Sequence, residues 1–216
     1  MMIKYVHLHG FGSDRNSSKG LYLQRKLQEK GIELVLPELN QPSFEEITLS
    51  GALEELDRVL GAEKGVVWRI SASSMGGYLA ALWAKRNPEK VDRLVLLCPG
   101  FDLATQFVQI VGVARMKRWE RDGFLLLPGA DEELRPVHWE FINDARGFEP
   151  FPEVPCPTLI IHGVQDDTIP LESSRRYVEQ YSEVGLMEVR DDHSMMNQIE
   201  VISAETVKFL SGNEGK

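Results

Sequence analysis

Short runs of apolar residues alternate along the chain with longer segments in which apolar residues recur at helical spacing. The runs are rich in leucine and β-branched residues and show little polar alternation, which is typical of strands buried on both faces of a sheet. They lie at residues 3–8, 32–36, 66–70, 93–97, 158–162 and 186–189. Strands that alternate with helices in this way predict an α/β fold, a six-stranded, mostly parallel, doubly wound sheet with helices on both faces.

The segments between the runs carry the start and stop signals of helices. Ser18 is placed to cap a first helix that ends at Gly31. The sequence Ser43-Phe-Glu-Glu46 has the pattern of a capping box and predicts the start of a second helix. The other predicted helices span residues 75–87, 171–182 and 195–210.

One connection between strands is much longer than the others. Residues 101–151 separate the fourth and fifth strands and contain Trp119, Trp139, a basic cluster at 115–118 and several glycines and prolines. A long insertion in a compact domain is usually a lid or a mobile segment. We therefore expect a core, formed by residues 1–100 and 152–216, and a largely helical cap formed by residues 101–151. Extra helices that brace the sheet edge are the alternative.

Composition narrows the class of partner. The 216 residues include 24 Lys and Arg against 33 Asp and Glu, a formal net charge of −9. This acidic balance disfavours nucleic acid and anionic membrane surfaces as partners, and no apolar stretch approaches the roughly 20 residues that span a bilayer. Cys98 and Cys156 are the only cysteines, which excludes a disulfide scaffold. The amino terminus lacks the layout of a signal peptide, so we expect a cytoplasmic protein.

A candidate nucleophile lies where a buried strand leads into a helix through Ala72-Ser73-Ser74-Met75-Gly76. This is the small-x-Ser-x-small pattern of a nucleophile elbow, with alanine in place of the first glycine. The residues on either side must be small because the strand and the helix approach each other closely at the turn. Ser74 fits this pattern. Ser73 does not, because Met75 would then occupy a position that requires a small residue.

A serine hydroxyl needs a base, and the base needs a group that orients it. His193 lies on the loop after the last predicted strand, where parallel α/β sheets place functional residues. His7 and His162 lie inside predicted strands, where a core or supporting role is expected, and His138 lies in the insertion. His193 is therefore the candidate base.

Candidates for the orienting acid follow the preceding strand. Asp166 and Asp167 are adjacent on the loop after the fifth strand, and either can instead cap the helix that begins near Pro170. Asp102, after the fourth strand, is a third candidate.

The first strand ends in a glycine-rich loop, His9-Gly-Phe-Gly-Ser13. Glycines let the backbone approach a ligand closely, and an amide of this loop can pair with the amide of Met75 to form an oxyanion hole. In a doubly wound sheet the first strand commonly neighbours the third. We therefore expect this loop to face Ser74.

The order Ser, Asp, His is that of the α/β-hydrolases, and the sequence resembles that superfamily in four loops. These are His9-Gly-Phe-Gly12, Ser74-Met-Gly-Gly77, the segment 162–170 and Asp192-His-Ser194. Residues 9–13, Ser18-Lys19 and 73–78 are further similar to the small bacterial esterases of the YqiA type.

The resemblance implies an α/β-hydrolase fold with a helical cap insertion, and it assigns five residues. It implies Ser74 as nucleophile, Asp166 as acid and His193 as base. It also implies the backbone amides of Phe11 and Met75 as oxyanion donors. Asp166 is favoured over Asp167 because the aspartate of the superfamily stands three residues after a glycine, here Gly163.

We therefore expect a serine esterase that uses water to cleave a small-molecule ester or thioester through an acyl-enzyme. No metal or organic cofactor is expected, since the sequence lacks H-E-x-x-H, clustered cysteines and a G-x-G-x-x-G after a strand. An aminopeptidase, an amidase or a carbon–carbon bond hydrolase with the same three residues is one alternative. A non-catalytic protein of the same fold that binds a small ligand is another, and the oligomeric state is left open.

Overall fold

A computed structural model describes residues 1–212, and six parallel strands form its central sheet. The strands of this sheet are β1 (Met2–Leu8), β2 (Leu34–Val35), β3 (Val66–Ser73), β4 (Val91–Leu97), β7 (Thr158–Gly163) and β8 (Val184–Val189). Their order is β2-β1-β3-β4-β7-β8, and every neighbouring pair is parallel. The predicted six-stranded sheet is confirmed, and β1 pairs directly with β3, which brings the carboxyl ends of these strands together.

Eight α-helices lie between or after the strands within the described residues. They are α1 (Ser18–Gln28), α2 (Leu49–Leu56), α3 (Met75–Arg86), α4 (Leu103–Val111), α5 (Val113–Asp122), α6 (Glu140–Ala145), α7 (Leu171–Gln180) and α8 (Ile199–Ser211). None of the helices within residues 1–212 is long and apolar enough to cross a membrane.

Both faces of the sheet are covered, which explains why its strands read as continuous apolar runs. In β4, Leu94 and Leu96 belong to the core cluster that includes the residues of α2 and α3, whereas Val95 and Leu97 pack in a second cluster with Ile202 of α8. Successive side chains of a strand point to opposite faces, so a strand between two helical layers needs apolar residues at every position.

Three predicted helix starts were wrong, one of them that of α8, which begins at Ile199 rather than at residue 195. Ser17, not Ser18, caps α1, because its side chain accepts the amide of Gly20. Thr48 caps α2 by accepting the amide of Gly51, so the predicted capping box at 43–46 does not begin a helix. Phe44 and Ile47 of that segment are buried in the main core, and their burial holds the chain in a turn before the helix starts.

Residues 101–151, the cap segment, contain more than helices. They form α4, α5 and α6 together with an antiparallel hairpin of β5 (Phe124–Pro128) and β6 (Leu134–His138). The prediction of a largely helical insertion missed this hairpin. In β5, Leu125 and Leu127 are buried while Phe124 and Leu126 are about half exposed. Because the exposed positions are apolar too, the two-residue period of the strand is hidden in the sequence.

Hydrogen bonds hold the cap segment together and tie it to the core. Trp119 is fully buried, and its indole nitrogen donates to the carbonyl of Val137 within the segment. Ser50 of α2 donates to the carboxylate of Asp144, from its backbone amide and from its hydroxyl. The segment leaves the sheet after β4 and returns at β7, which is the neighbour of β4. The division into a core and a cap stays a prediction.

Candidate active site

Ser74 stands at the sharp turn between β3 and α3. Its backbone has φ 52° and ψ −120°, a conformation that residues other than glycine rarely adopt. Backbone hydrogen bonds hold this strained turn in place, since the amide of Ser74 donates to Leu97 and its carbonyl accepts the amides of Gly77 and Gly100. Strain that the surroundings enforce in this way is characteristic of functional sites.

The small residues around Ser74 are required by close backbone contacts. A Cβ on Gly76 would lie 2.4 Å from the carbonyl oxygen of His9 and 2.6 Å from that of Leu8. A Cβ on Gly10 would lie 3.2 Å from the Cβ of Ser74. The loop after β1 therefore lies directly against the turn that carries Ser74, as the sequence predicted.

Three side chains that are distant in sequence meet at this point. The hydroxyl of Ser74 lies 3.1 Å from Nε2 of His193, and Nδ1 of His193 lies 2.7 Å from Oδ2 of Asp166. Since the carboxylate can only accept, Nδ1 of a neutral imidazole carries the proton and Nε2 is free to accept the proton of the serine hydroxyl. The roles of these residues in catalysis stay predictions.

The side chain of Asp166 is completely buried, and its carboxylate is well satisfied. Oδ1 accepts the backbone amides of Thr168 and Ile169 at 2.9 and 2.8 Å. Burial by itself raises the pKa of Asp166, but the hydrogen bonds to His162 and His193 and the backbone amide of Ile169 outweigh it and lower the pKa well below its ordinary range. The carboxylate is therefore ionised at neutral pH.

The other candidate acids lie elsewhere. Asp167 is exposed, and within the described residues its carboxylate accepts a hydrogen bond only from the hydroxyl of Thr168. Asp102 precedes α4 in a left-handed conformation, and its amide donates to the carbonyl of Pro150. Within residues 1–212 neither carboxylate hydrogen-bonds His193, so the geometry separates them from Asp166.

His162 supports the site from inside the sheet. Its side chain is fully buried, Nδ1 lies 2.7 Å from the hydroxyl of Ser174, and Nε2 donates to the carbonyl of Ile169. Nε2 is also 3.3 Å from Oδ2 of Asp166. The ring thus fixes the loop whose amides bind the carboxylate.

Cys98 is a neighbour of the site that sequence reasoning missed. Atoms of Cys98, Asp166 and His193 that can ligate a metal lie within 4.8 Å of one another. Burial raises the pKa of the Cys98 thiol, so the sulfur is neutral, whereas metals bind the thiolate. Asp166 and His193 are already hydrogen-bonded to each other. The arrangement fits a hydrogen-bonded pair beside a buried thiol better than a set of metal ligands.

Two further residues hold the loop that carries His193. The buried carboxylate of Asp191 accepts hydrogen bonds from the amides of Asp192 and Gln198 and from the side chain of Asn197. The ammonium group of Lys19 on α1 donates to the carbonyl of Ser194 at 2.9 Å. Neither role could be read from the sequence, because the acidic run before His193 gives no sign of which carboxylate is buried and Lys19 is 175 residues from Ser194 along the chain.

The amides of Phe11 and Met75 are free to act as donors. Both residues line the cavity that contains Ser74, and within residues 1–212 neither amide donates a hydrogen bond. The ring of Phe11 stacks on Phe141 of the cap segment with centroids 4.8 Å apart, which anchors the loop after β1.

The cavity beside Ser74 has a volume of about 400 Å³ and a mostly apolar wall. Residues of the cap segment form much of that wall, among them Leu103, Phe107 and Leu127. A larger groove of about 600 Å³ lies between α1 and α8, but it is lined by lysines and glutamates and contains none of Ser74, Asp166 and His193. The cavity at Ser74 is therefore the candidate substrate site.

The chain is similar in sequence to known proteins. The family model described as Uncharacterised protein family (UPF0227) matches residues 4–210. The human protein named Palmitoyl-protein thioesterase ABHD10, mitochondrial, is 29% identical over 139 residues, which are 60% of this chain and 45% of that protein. This chain thus aligns with less than half the length of that curated relative.

Solved structures share the fold over nearly the whole chain. A putative hydrolase from Agrobacterium vitis S4 gives a TM-score of 0.82 at 21% identity, over 97% of this chain and 88% of that one. Alpha/beta hydrolase domain-containing protein 10 from mouse gives 0.77 at 20% identity, over 96% and 89%. Est1E from Butyrivibrio proteoclasticus with bound ferulic acid gives 0.75 at 20% identity, over 100% and 90%. This likeness confirms the α/β-hydrolase fold.

Proposed function

The chain belongs to the Uncharacterised protein family UPF0227, and we propose that it is a serine hydrolase that cleaves a carboxylic ester or thioester. The observation that carries this proposal is the hydrogen-bonded series of the Ser74 hydroxyl, the His193 imidazole and the Asp166 carboxylate, with distances of 3.1 and 2.7 Å. Ser74 and His193 also line a cavity large enough for a small substrate. Strain at Ser74 and an open cavity beside it favour a chemical role over a structural one.

In the proposed reaction, Oγ of Ser74 attacks the carbonyl carbon of the substrate while Nε2 of His193 takes the hydroxyl proton. His193 then gives that proton to the departing alcohol or thiol, which leaves an acyl group on Ser74. Water attacks the acyl-enzyme, His193 again accepts a proton, and the acid is released as the serine hydroxyl is restored. Asp166 holds the imidazole in the required tautomer and stabilises the imidazolium that forms.

The negative charge of the tetrahedral intermediate needs donors, and we assign this role to the amides of Phe11 and Met75. Both amides lack an acceptor within residues 1–212, and the loop after β1 lies against the turn at Ser74. Preorganised donors of this kind stabilise charge that develops during the reaction, and each typically contributes about 10²–10³ in rate.

The substrate class follows from the wall of the cavity and from the relatives. The apolar side chains of Leu103, Phe107 and Leu127 suit the carbon chain of an acyl or alcohol group. One relative is named a palmitoyl-protein thioesterase, and the similar structure of Est1E holds ferulic acid, the kind of carboxylic acid that hydrolysis of an ester or a thioester releases. Both bond types are therefore included in the proposal, with water as the second reactant and no cofactor.

Labelling with a fluorophosphonate tests the proposed nucleophile. Such a probe phosphonylates an activated serine with loss of fluoride, so the intact protein should gain the mass of one probe minus HF, on Ser74. Ser74→Ala should abolish labelling and hydrolysis of p-nitrophenyl esters. Ser73→Ala is the matched control, because the buried hydroxyl of Ser73 has no partner within the described residues and its removal should leave both activities intact. A folded wild-type protein that stays unlabelled and inert would contradict the proposal and favour a ligand-binding role.

A substrate panel separates ester hydrolysis from the related reactions. Aminopeptidases, amidases and carbon–carbon bond hydrolases use the same three groups, so the geometry alone fits them too. We expect turnover of p-nitrophenyl esters and of acyl thioesters. Cleavage of aminoacyl anilides or of diketones by a protein that leaves esters intact would overturn the ester assignment while keeping the assignment of Ser74.

A further inference from the structure

A buried polar side chain without a partner lies in the wall of the cavity at Ser74. Gln106 on α4 is only 7% exposed, and it lines the same cavity as Ser74 and His193. Its carbonyl oxygen Oε1 is buried and has no hydrogen-bond partner within residues 1–212. Buried polar groups are nearly always paired, so an orphaned carbonyl at a substrate cavity needs an explanation.

Gln106 is the single polar residue on the face of α4 that lines the cavity. One face of this helix lines the cavity through residues at helical spacing, namely Leu103, Gln106, Phe107, Ile110 and Val111. Four of these side chains are apolar, and glutamine is the single polar one. Leucine or methionine would form the helix equally well and would bury no polar group. The helix therefore does not need a glutamine here, whereas a ligand with a polar group would.

We propose that Gln106 is a specificity-determining residue that binds a hydrogen-bond donor of the substrate, a hydroxyl or an amide N–H on one of its chains. This inference rests on the proposed ester or thioester hydrolysis and narrows its substrates from plain alkyl compounds to ones with a polar group along the chain. The last torsion of a glutamine side chain is broad, so the torsion itself offers little resistance when the carbonyl turns toward a ligand.

Pairs of substrates that match in length test this role. On the acyl side, p-nitrophenyl N-acetyl-β-alaninate is compared with p-nitrophenyl hexanoate. Its glycinate and γ-aminobutyrate analogues, which move the amide along the chain, are compared with the pentanoate and the heptanoate. On the leaving-group side, a hexanoyl thioester of N-acetylcysteamine is compared with the hexanoyl thioester of pentanethiol. For each pair, kcat/KM for the amide compound is divided by kcat/KM for the alkyl compound. This ratio should be about 5- to 30-fold lower in Gln106→Met than in the wild type for at least one pair.

The control is Gln109→Met on the same helix, because Gln109 is exposed and does not line the cavity. This variant should keep the wild-type ratio. A ratio that stays within a factor of two in Gln106→Met for every pair would overturn the inference.

A measurement on the wild-type protein covers the case in which Gln106→Met does not fold. Trifluoromethyl ketones that carry the same amide and alkyl chains should inhibit unequally, with the amide compound stronger at one position of the series. Equal or weaker inhibition by every amide compound would overturn the inference. Failure of the proposed function looks different, because then Ser74 stays unlabelled by fluorophosphonate and the alkyl esters are not cleaved at all.

Discussion

Oδ2 of Asp166 accepts a hydrogen bond from Nδ1 of His193 over 2.7 Å, while the amides of Thr168 and Ile169 bind the other carboxylate oxygen. The carboxylate is thus fixed in orientation before the imidazole meets it. This arrangement holds the imidazole of His193 with Nε2 toward Ser74. Asp167 takes no part in it, so substitutions of Asp166 and Asp167 should have different effects on activity.

Asp166→Asn should lower kcat for p-nitrophenyl esters by about 10³–10⁴-fold, because an amide can stabilise the wrong tautomer of His193 and cannot stabilise the imidazolium. Asp167→Asn is the control and should stay within a factor of two of the wild type, since Asp167 is exposed and hydrogen-bonds only Thr168 through its carboxylate among the described residues. Steady-state kinetics measures both. Equal losses in the two variants would contradict the assignment of the acid.

Lys19→Met should lower kcat by about 10- to 100-fold with little change in KM. The ammonium of Lys19 holds the carbonyl of Ser194, the residue after His193, and small displacements of a catalytic group cost rate rather than substrate affinity. Lys19→Arg should recover part of the rate, because arginine can still donate to that carbonyl. Lys26→Met on the same helix is the control. A rise in KM with unchanged kcat would refute a positioning role for Lys19.

Gly76→Ala should destabilise the fold by about 2–4 kcal/mol, since the new methyl group would collide with the backbone carbonyls of His9 and Leu8. The free energy of urea unfolding measures the loss. Gly185→Ala in β8 is the control, because its Cβ would meet only the Leu159 side chain at 3.7 Å and the carbonyl of Thr158 at 4.0 Å. Comparable losses in the two variants would show that the contact at Gly76 relaxes easily.

His7 should make stability depend on pH in the acid range. Burial, with a smaller contribution from Lys19, lowers the pKa of His7 to about 3, whereas a histidine in the unfolded chain titrates near 6.5. Between these values the unfolded state binds the proton and the native state does not. His7 therefore costs the fold no stability above pH 6.5. Below that pH the free energy of unfolding falls by about 1.4 kcal/mol per pH unit, down to pH 3.

The pH dependence is measured as the free energy of unfolding against pH for wild type, His7→Gln and His138→Gln. The first variant should flatten the slope between pH 6.5 and 3, although it also loses the contact with Ser71 at neutral pH. The second should keep the wild-type slope, since His138 is exposed. An unchanged slope in His7→Gln would show that other groups control the acid sensitivity.

The fold could be predicted because burial on both faces of a parallel sheet leaves an unmistakable pattern of apolar runs. The positions of Ser74 and His193 followed from the same pattern, since both lie where predicted strands end. The choice between Asp166 and Asp167 came only from the family resemblance. The sequence does not show which of these two carboxylates turns inward. In the folded chain it is that of Asp166, which accepts the amides of Thr168 and Ile169.

Other features had no readable signal in the sequence. The hairpin in the cap segment was hidden because Phe124 and Leu126 are apolar yet exposed. The roles of Lys19 and Asp191 depend on contacts with the His193 loop that only the folded chain creates. Gln106 reads as an ordinary helical residue until its neighbours around the cavity are known.

The neighbouring strands β4 and β7 pair directly, from Leu94 opposite Thr158 to Leu97 opposite Ile161. The polypeptide between them therefore leaves and rejoins the sheet at adjacent strands, so the pairing of these strands sets no fixed length for the segment in between. A segment of another length or architecture can span the same gap, provided that it keeps the contact of Phe141 with Phe11 that anchors the loop after β1. Because residues 101–151 form much of the cavity wall, replacing them with the matching segment of a relative is expected to change which substrates bind.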